Sequence, residues 1–311
     1  MKRVVVTGGA GFIGSHVVEE LLRHDYKVAV IDNFSTGHRK NIAGLPVDVY
    51  DFDVTDPHVG DLILSLHPDS IIHLAAQISV AQSVRDPLFD EQVNVRGSLH
   101  VMRAAVRSSV GKIVFASSAA VYGNPLSLPV TPGHPTHPES PYGLTKLTVE
   151  HYLKTFYKLF GLPYTILRFS NVYGPRQDAK GEGGVVSIFS DRLSRDMPPF
   201  IFGDGKQTRD FIFVRDIASA VVKGLQTEKN ICVNVSSGAS VTINQLFRML
   251  RSISDSNMNA IYREARPGDI RESTLSNNEA KKLLGWEPVT DLFTGLQETL
   301  HFSNRAAKLI K

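Results

Sequence analysis

The sequence predicts an α/β fold: a doubly wound, mostly parallel sheet followed by a smaller α/β region on the substrate side. Three observations lead there. Short β-branched runs alternate with amphipathic stretches through the first half, the turn after the first run is crowded with glycine, and past residue 173 the alternation breaks down. Strands are expected at Arg3–Thr7, Lys27–Asp32, Val47–Phe52, Ser70–Leu74, Lys112–Ser117 and Tyr164–Phe169. The first helix, from Gly11 to about His24, sets Ile13, Val17, Val18, Leu21 and Leu22 on one face, which should pack on the sheet. Beyond Gly174 come Gly181, Gly183 and Gly184, a hairpin expected around Gly203-Asp204-Gly205, and helices at about Arg215–Thr227, Thr242–Ser254 and Leu292–Lys308, the last read as a terminal surface helix. Residues 1–173 are therefore read as the main domain. Residues 174–311 are read as mainly substrate-side, with some segments returning to the main domain.

Composition narrows the function. A chain of 311 residues, 42% hydrophobic, can bury a sizeable core. The net charge of +3 is spread without a block of like charge, so neither a nucleic-acid nor a membrane surface is expected, while anionic small molecules remain plausible partners. The lone Cys232 excludes an intramolecular disulfide framework and fits a reducing cytoplasm. The apolar run after Met1-Lys2-Arg3 ends at Thr7 after one strand length, too short for a signal peptide or a span. A loop with Pro125, Pro129, Pro132, Pro135, Pro138 and Pro141 should be stiff and extended. Its His134 and His137 have no further ligand at metal-site spacing, so no metal is expected.

Directly after the first run stands Gly8-Gly9-Ala10-Gly11-Phe12-Ile13-Gly14. Gly8 permits a tight turn, Gly11 lets a pyrophosphate approach the backbone, and Gly14 lets helix and strand pack closely, while the helix N-terminus offers free amides. Asp32 closes the second run about 20 residues on, where a carboxylate accepts ribose hydroxyls and repels a 2′-phosphate, so NAD is expected over NADP. Taken singly, the glycines fit an ordinary turn and Asp32 an ordinary cap. In register they specify a Rossmann-type sheet.

Ser140-Pro141 reads as N-cap and first residue of a helix through Tyr142-Gly143-Leu144-Thr145-Lys146. Four-residue spacing puts phenol and ammonium on one face. A positive neighbour favours phenolate, and an oxidised nicotinamide adds a second charge. Tyr142 is thus expected to drop from about 10 toward about 7, roughly 4 kcal/mol of differential stabilisation, and to serve as general base. With nine tyrosines, a Tyr-x-x-x-Lys match also arises readily by chance. Weight comes from Phe115-Ala116-Ser117-Ser118 at the end of the fifth run, since parallel sheets place ligands at their carboxyl ends. Ser118 could hydrogen-bond a substrate hydroxyl; capping of the next turn is the alternative.

These stretches, with Ser117-Ser118-Ala119-Ala120-Val121-Tyr122-Gly123, make the chain resemble the extended short-chain dehydrogenase/reductases, and among them the NAD-dependent epimerase/dehydratase family. The likeness spans nearly the whole chain, because Arg168-Phe169-Ser170-Asn171-Val172-Tyr173-Gly174-Pro175, Arg209-Asp210-Phe211 and Arg266-Pro267-Gly268-Asp269 also fit the family pattern. It implies an isomerase that inverts C4 of a UDP-sugar (UDP-glucose and UDP-galactose, with N-acetylated forms as an extension) through a 4-keto intermediate. Ser118, Tyr142 and Lys146 are its implied catalytic residues. Asp32, Asn33 and Ser35 would hold the adenosine ribose, and Asp53 and Val54 would border the adenine. Leu74, Ala75, Ala76 and Asn94 would line the cofactor, with Phe12, Ile13, Thr36, Gly37, Gln77, Ala116, Phe169 and Asn171 completing its surround. Asn171, Val185, Phe202, Arg209, Arg266 and Asp269 would hold the uridine diphosphate, the arginines by fork geometry on phosphate oxygens. Val80 and Ser273 join the sugar side. The resemblance also implies a homodimer through helices near Asn94–Ser108 and Pro141–Phe160.

Four positions depart from patterns in the family. Ala120 replaces a threonine of some epimerases, and Ala119-Ala120 lacks the acidic pair of the dehydratases, which argues against water elimination. Ile78 replaces a cofactor-contacting lysine, and Ser273 a bulky tyrosine that narrows the sugar pocket of some relatives. Related alternatives are a UDP-glucuronate epimerase or decarboxylase, for which Arg176 is a candidate carboxylate partner, and a nucleotide-sugar reductase. Outside catalysis, a dinucleotide-sensing module shares the fold but has no need of Ser118, Tyr142 and Lys146.

Overall fold

The computed structural model describes residues 1–179, 184–265 and 270–308, with side chains through residue 305. Along the first half run β1 (Arg3–Thr7), α1 (Phe12–Arg23), β2 (Lys27–Asp32), β3 (Asp48–Asp51), α2 (Val59–Leu66), β4 (Ser70–His73), α3 (Val80–Arg85), α4 (Pro87–Glu91), α5 (Gly97–Arg107), β5 (Lys112–Ser118), α6 (Pro141–Phe160) and β6 (Tyr164–Phe169). There follow β7 (Asn171–Tyr173), α7 (Val185–Ser194), β8 (Phe200–Phe202), β9 (Thr208–Arg209), β10 (Phe211–Phe213), α8 (Val214–Gln226), β11 (Ile231–Val235), β12 (Val241–Thr242), α9 (Ile243–Ile253), β13 (Ile261–Arg263), α10 (Asn278–Leu284) and α11 (Leu292–Lys308).

Seven parallel strands form the central sheet in the order β11-β6-β5-β4-β1-β2-β3. The order reverses between β1 and β4, which opens a crevice at the carboxyl ends, where such sheets bind ligands. The strand interiors are apolar because both faces are covered. On one face Val17, Val18 and Leu21 of α1 meet Ile217 and Val221 of α8; on the other Ile63, Val101, Met102, Val149 and Leu153 of α2, α5 and α6 pack down. Each such side chain contributes roughly 1.5–3 kcal/mol by leaving water.

Outside the sheet a separate core gathers Phe189, Ile201, Phe211, Phe213, Leu246, Phe247, Leu296 and Leu300. The buried leucines show that α11 is not merely a surface helix: it seals this core. The expected hairpin at residues 203–205 is also corrected. The turn is present, with Gly203 and Gly205 at φ +72° and +68°, but β8 pairs with β13 and β9 with β12 rather than with each other. Asp204 is instead clamped by Arg271 at 2.8 and 3.0 Å, so the turn sends the chain to different neighbours. β11, from late in the sequence, completes the main sheet beside β6, and α8 packs on α1.

The helical layer is not regular throughout. Between α4 and α5 the helix makes a single π-helical turn, Gln92–Arg96, carrying Asn94. Such turns recur at functional sites because the widened backbone re-aims side chains.

Candidate active site

The glycine turn does what its spacing predicts. Gly8 takes φ +70° with the Ala75 backbone so close that a Cβ would sit 2.7 Å from its nitrogen; at Gly14 a Cβ would lie 2.0 Å from the Gly8 carbonyl. Larger residues would push strand and helix apart. Gly11 caps α1 without any side-chain bond, so the helix N-terminus faces the crevice as bare backbone, with Phe12 and Ile13 partly exposed beside it. A diphosphate fits such a cradle. Asp32, buried at the end of β2, accepts from Ala10 N at 2.9 Å and Phe34 N at 2.8 Å, and Gly37 packs against its carboxylate. It therefore organises the turn as a cap while retaining free lone pairs. Asn33 donates to Asp53 at 2.7 Å and accepts from Ser35, in a cluster exposed together with Thr36. Burial works to raise the Asp53 carboxyl, but donors from Thr55 and Asn33 outweigh it and hold it below the usual range. Val54 is buried against Gly97, and Leu74, Ala75, Ala76 and Gln77 follow β4 along the crevice, partly exposed.

The reacting candidates meet at the neighbouring strand ends. Ser140 caps α6, accepting from Gly143 N at 3.1 Å, with Pro141 opening the first turn. Tyr142 follows, its phenol within the influence of the Ser118 side chain. Ser118 Oγ accepts from Ala120 N at 3.2 Å, so the capping role of that serine is realised. One turn on, buried Lys146 donates to the Ala116 carbonyl at 3.1 Å, its Nζ 5.8 Å from the Tyr142 ring centre and 5.0 Å from that of Phe115. Phe169 is buried at the end of β6.

The electrostatics differ from expectation. Burial pushes the Tyr142 phenol up, the Ser118 hydroxyl pulls it down, the Asp90 carboxylate pushes it up again, and the phenol ends above its ordinary range. The lowering expected from Lys146 does not prevail in the protein alone. Burial also pushes the Lys146 ammonium down to about 8, against the pull of Asp90. His73 is driven to about 3 by burial, with Lys146 adding to the effect, and bridges Thr7 and Ser98 as a neutral ring.

Two buried hubs were missed from the sequence. Asp90 accepts from Gln77, Asn94 and Thr145, whose segments lie far apart in the chain. Glu150 accepts from Nε and Nη2 of Arg168 and from the Ser117 hydroxyl. Only the Asp-x-x-x-Asn and Lys-x-x-x-Glu spacings could have hinted at either.

The substrate-side residues are only partly assembled. Arg209 Nη1 donates to the carbonyls of Thr208 at 2.8 Å and Ile270 at 2.6 Å, while Asn171 pairs with Asp210 through backbone at 3.0 Å and exposes its side chain. Val185 opens α7 and Phe202 ends β8, both partly exposed; Val80 opens α3 on the surface, and Ser273 is partly buried. Arg266 and Asp269 lie outside the described residues. Arg176 is paired with Glu19 of α1 rather than standing free for a sugar carboxylate. His134 accepts from Leu126 N at 3.1 Å, a turn role, and among the described residues no cluster of His, Cys, Asp and Glu is placed to hold a metal. No described helix is long and apolar enough to cross a membrane.

Residues 4–236 match the profile described as the NAD dependent epimerase/dehydratase family. Among solved structures, the chain is similar to a UDP-glucose 4-epimerase of Thermotoga maritima crystallised with UDP-glucose: 40% identity, TM-score 0.93, 98% of this chain and 99% of that one. It is likewise similar to a UDP-N-acetylglucosamine 4-epimerase of Methanobrevibacter ruminantium in complex with UDP-N-acetylmuramic acid, at 37% identity, TM-score 0.92 and 97% of each chain. A UDP-glucose 4-epimerase of Thermus thermophilus in complex with NAD gives 36%, 0.93, and 98% and 99%. With the glycine cradle, the switch point between β1 and β4 and the matched span all in agreement, the chain belongs to the NAD dependent epimerase/dehydratase family.

Proposed function

We propose that this protein is an NAD-dependent UDP-sugar 4-epimerase that interconverts UDP-glucose and UDP-galactose. The observation that carries the reading is the convergence of Ser118 and Tyr142, with Lys146 one turn behind the tyrosine, at strand ends beside the glycine cradle. When bound, the oxidised nicotinamide would supply a reversible hydride acceptor for C4 of the sugar. Tyr142 takes the proton of the 4-hydroxyl. Ser118 donates to the same oxygen and steadies it as a carbonyl develops. Lys146 supplies a positive charge beside the phenolate and would hold the nicotinamide ribose. Gly11, Phe12, Ile13 and Gly14 would receive the pyrophosphate, and Asp32 the adenosine ribose.

Asn171, Val185, Phe202, Arg209, Arg266 and Asp269 are proposed to hold the uridine diphosphate. Because binding energy then resides in the nucleotide, the 4-keto ring can turn over without leaving. Residues 1–173 would thus serve the dinucleotide and 174–311 mainly the substrate, with β11 and α8 as the segments that return to the main sheet. Ser273 in place of a bulky residue favours room for N-acetylated sugars as well. The outer face of α6 leaves Leu144, Tyr152 and Leu159 exposed, which supports a homodimer through the helices near residues 94–108 and 141–160. A reducing, cytoplasmic setting suits the free Cys232.

The test is incubation of the purified protein, without added NAD, with UDP-glucose, UDP-N-acetylglucosamine and UDP-glucuronate, resolving 4-epimers by NMR. UDP-galactose should form with no decarboxylation or net oxidation. Absence of any 4-epimer would sink the proposal. No turnover of UDP-N-acetylglucosamine, well above the UDP-glucose concentration, would remove only the N-acetyl extension.

A further inference from the structure

Asp90 takes no part in the proton and hydride transfers, yet it is a fully buried carboxylate beside the reacting pair. Its Oδ1 accepts from Gln77 Nε2 at 2.7 Å and Asn94 Nδ2 at 3.0 Å, and its Oδ2 accepts from Thr145 Oγ1 at 2.8 Å. The loop after β4, the π-helical turn and the first turns of α6 therefore converge on one anion. The titratable groups acting there are Tyr142 and Lys146 from α6 and the neutral His73 from β4; Glu91, on its own helix, is occupied by Arg96 at the surface.

We propose that Asp90 is a positioning residue for the reaction: it fixes the turn of α6 that carries Tyr142 and Lys146, and its negative charge balances the lysine in both halves of the cycle. The proposal rests on the epimerase reading. With the oxidised dinucleotide and a Tyr142 phenolate in place, Lys146 and the dinucleotide ring are the positive groups and Asp90 and the phenolate the negative ones. Once the sugar has given its proton to Tyr142 and its hydride to the ring, Lys146 and Asp90 remain as an even pair. Without Asp90 the pocket would carry one uncompensated positive charge in both states, at a depth where such charge is costly.

Asp90→Asn removes the charge and keeps the shape, because the amide oxygen still accepts from Gln77 and Asn94 and Thr145 Oγ1 can turn to accept. The variant should fold, melt within about 3 °C of the parent and retain its dinucleotide. Loss of the carboxylate frees the phenol to ionise earlier. The tyrosinate absorbance that Tyr142→Phe abolishes, and the acid limb of kcat, should both move about half a pH unit or more toward lower pH. A weaker base should also lower maximal kcat about tenfold, with KM within about threefold.

A folded Asp90→Asn protein whose titration and acid limb coincide with the parent's overturns the proposal. If that variant fails to fold, Asp90→Ser, with room for water, replaces it; failure of both assigns Asp90 to stability alone and overturns the proposal equally. Should the parent make no 4-epimer, the epimerase reading falls. The tyrosinate titration needs no turnover and still reports whether Asp90 acts on Tyr142.

Discussion

Helix α6 carries two buried charged groups one turn apart, and the fold treats them in opposite ways. Lys146 hydrogen-bonds one carbonyl at 3.1 Å and lies by the faces of two rings with no carboxylate in direct contact, and burial drives its ammonium down to about 8 despite the pull of Asp90. Glu150 is met by a bidentate Arg168 at 2.8 and 2.6 Å and by Ser117 Oγ at 2.6 Å, while Arg168 also donates to Tyr122 at 2.9 Å and the Pro132 carbonyl at 3.0 Å. Burial alone would lower the Arg168 guanidinium, but Glu150 holds it above its ordinary range. Adjacent residues of one strand, Ser118 and Ser117, serve the two clusters. A buried charge given every partner is a structural joint, here pinning the proline loop onto the sheet. One kept short of partners is poised to change its interactions when ligand arrives.

The largest effects should separate the clusters completely. Tyr142→Phe removes the proton acceptor without opening a cavity, so turnover should fall about 10³- to 10⁴-fold, roughly 4–5.5 kcal/mol, with nucleotide affinity by calorimetry and melting temperature little changed. Near-normal turnover would end the assignment. Glu150→Ala should do the reverse. It strands a buried guanidinium and should reduce unfolding free energy in denaturant by about 3–5 kcal/mol. A loss below about 1 kcal/mol would mean that Arg168 finds other partners and that the contrast is false.

Much of this contrast was legible, and what was hidden has a common cause. β1, β2 and β6 fall on their predicted residues, β4 and β5 differ by one at one end and β3 by one at each end, because strands buried on both faces read as unbroken apolar runs. The glycine turn and the Tyr142, Lys146 pair are local patterns, so sequence order sufficed. Asp90 could not be read that way: its donors come from Gln77, Asn94 and Thr145, and Asn94 is presented by a π-helical turn with no compositional mark. In the protein alone the upward shift of the Tyr142 phenol was hidden for the same reason, since neighbouring charge is visible in a sequence whereas burial and a carboxylate remote in sequence are not. At residues 203–205 the turn chemistry was right and the pairing wrong, because strand partners are chosen by the whole core.

Lys146→Met sharpens the comparison through stability. The folded protein releases the Lys146 proton near pH 8 and the unfolded chain near 10.5, a difference on the order of 3 kcal/mol that opposes folding below about pH 8. That penalty fades as pH rises from about 8 toward 10.5, since over this window only the unfolded chain still binds the proton. Lys146→Met should therefore be inactive yet about 1–3 kcal/mol more stable than the parent at pH 7, with the advantage vanishing by about pH 10.5. Equal or lower stability at pH 7 would show that the lysine is fully partnered after all.

The smallest expected effect probes why the chemistry sits at the end of α6 and the joint in its interior. Ser140 Oγ satisfies one orphan amide of the first turn, and Tyr142 lies within that turn, whereas Glu150 lies more than two turns further in. Ser140→Ala should cost about 1 kcal/mol of stability, a typical cap loss. Fraying propagates from the end, so the phenol should lose its register before the ion pair does. The expected signature is a fall in kcat of about tenfold, larger than the stability change alone would give at a temperature where the protein stays folded, with the unfolding cost of Glu150→Ala unchanged in the double variant. A kcat equal to the parent's would mean that Thr145 and Asp90 hold the first turn without the cap, which would shift the positioning of Tyr142 from the helix terminus to the buried carboxylate.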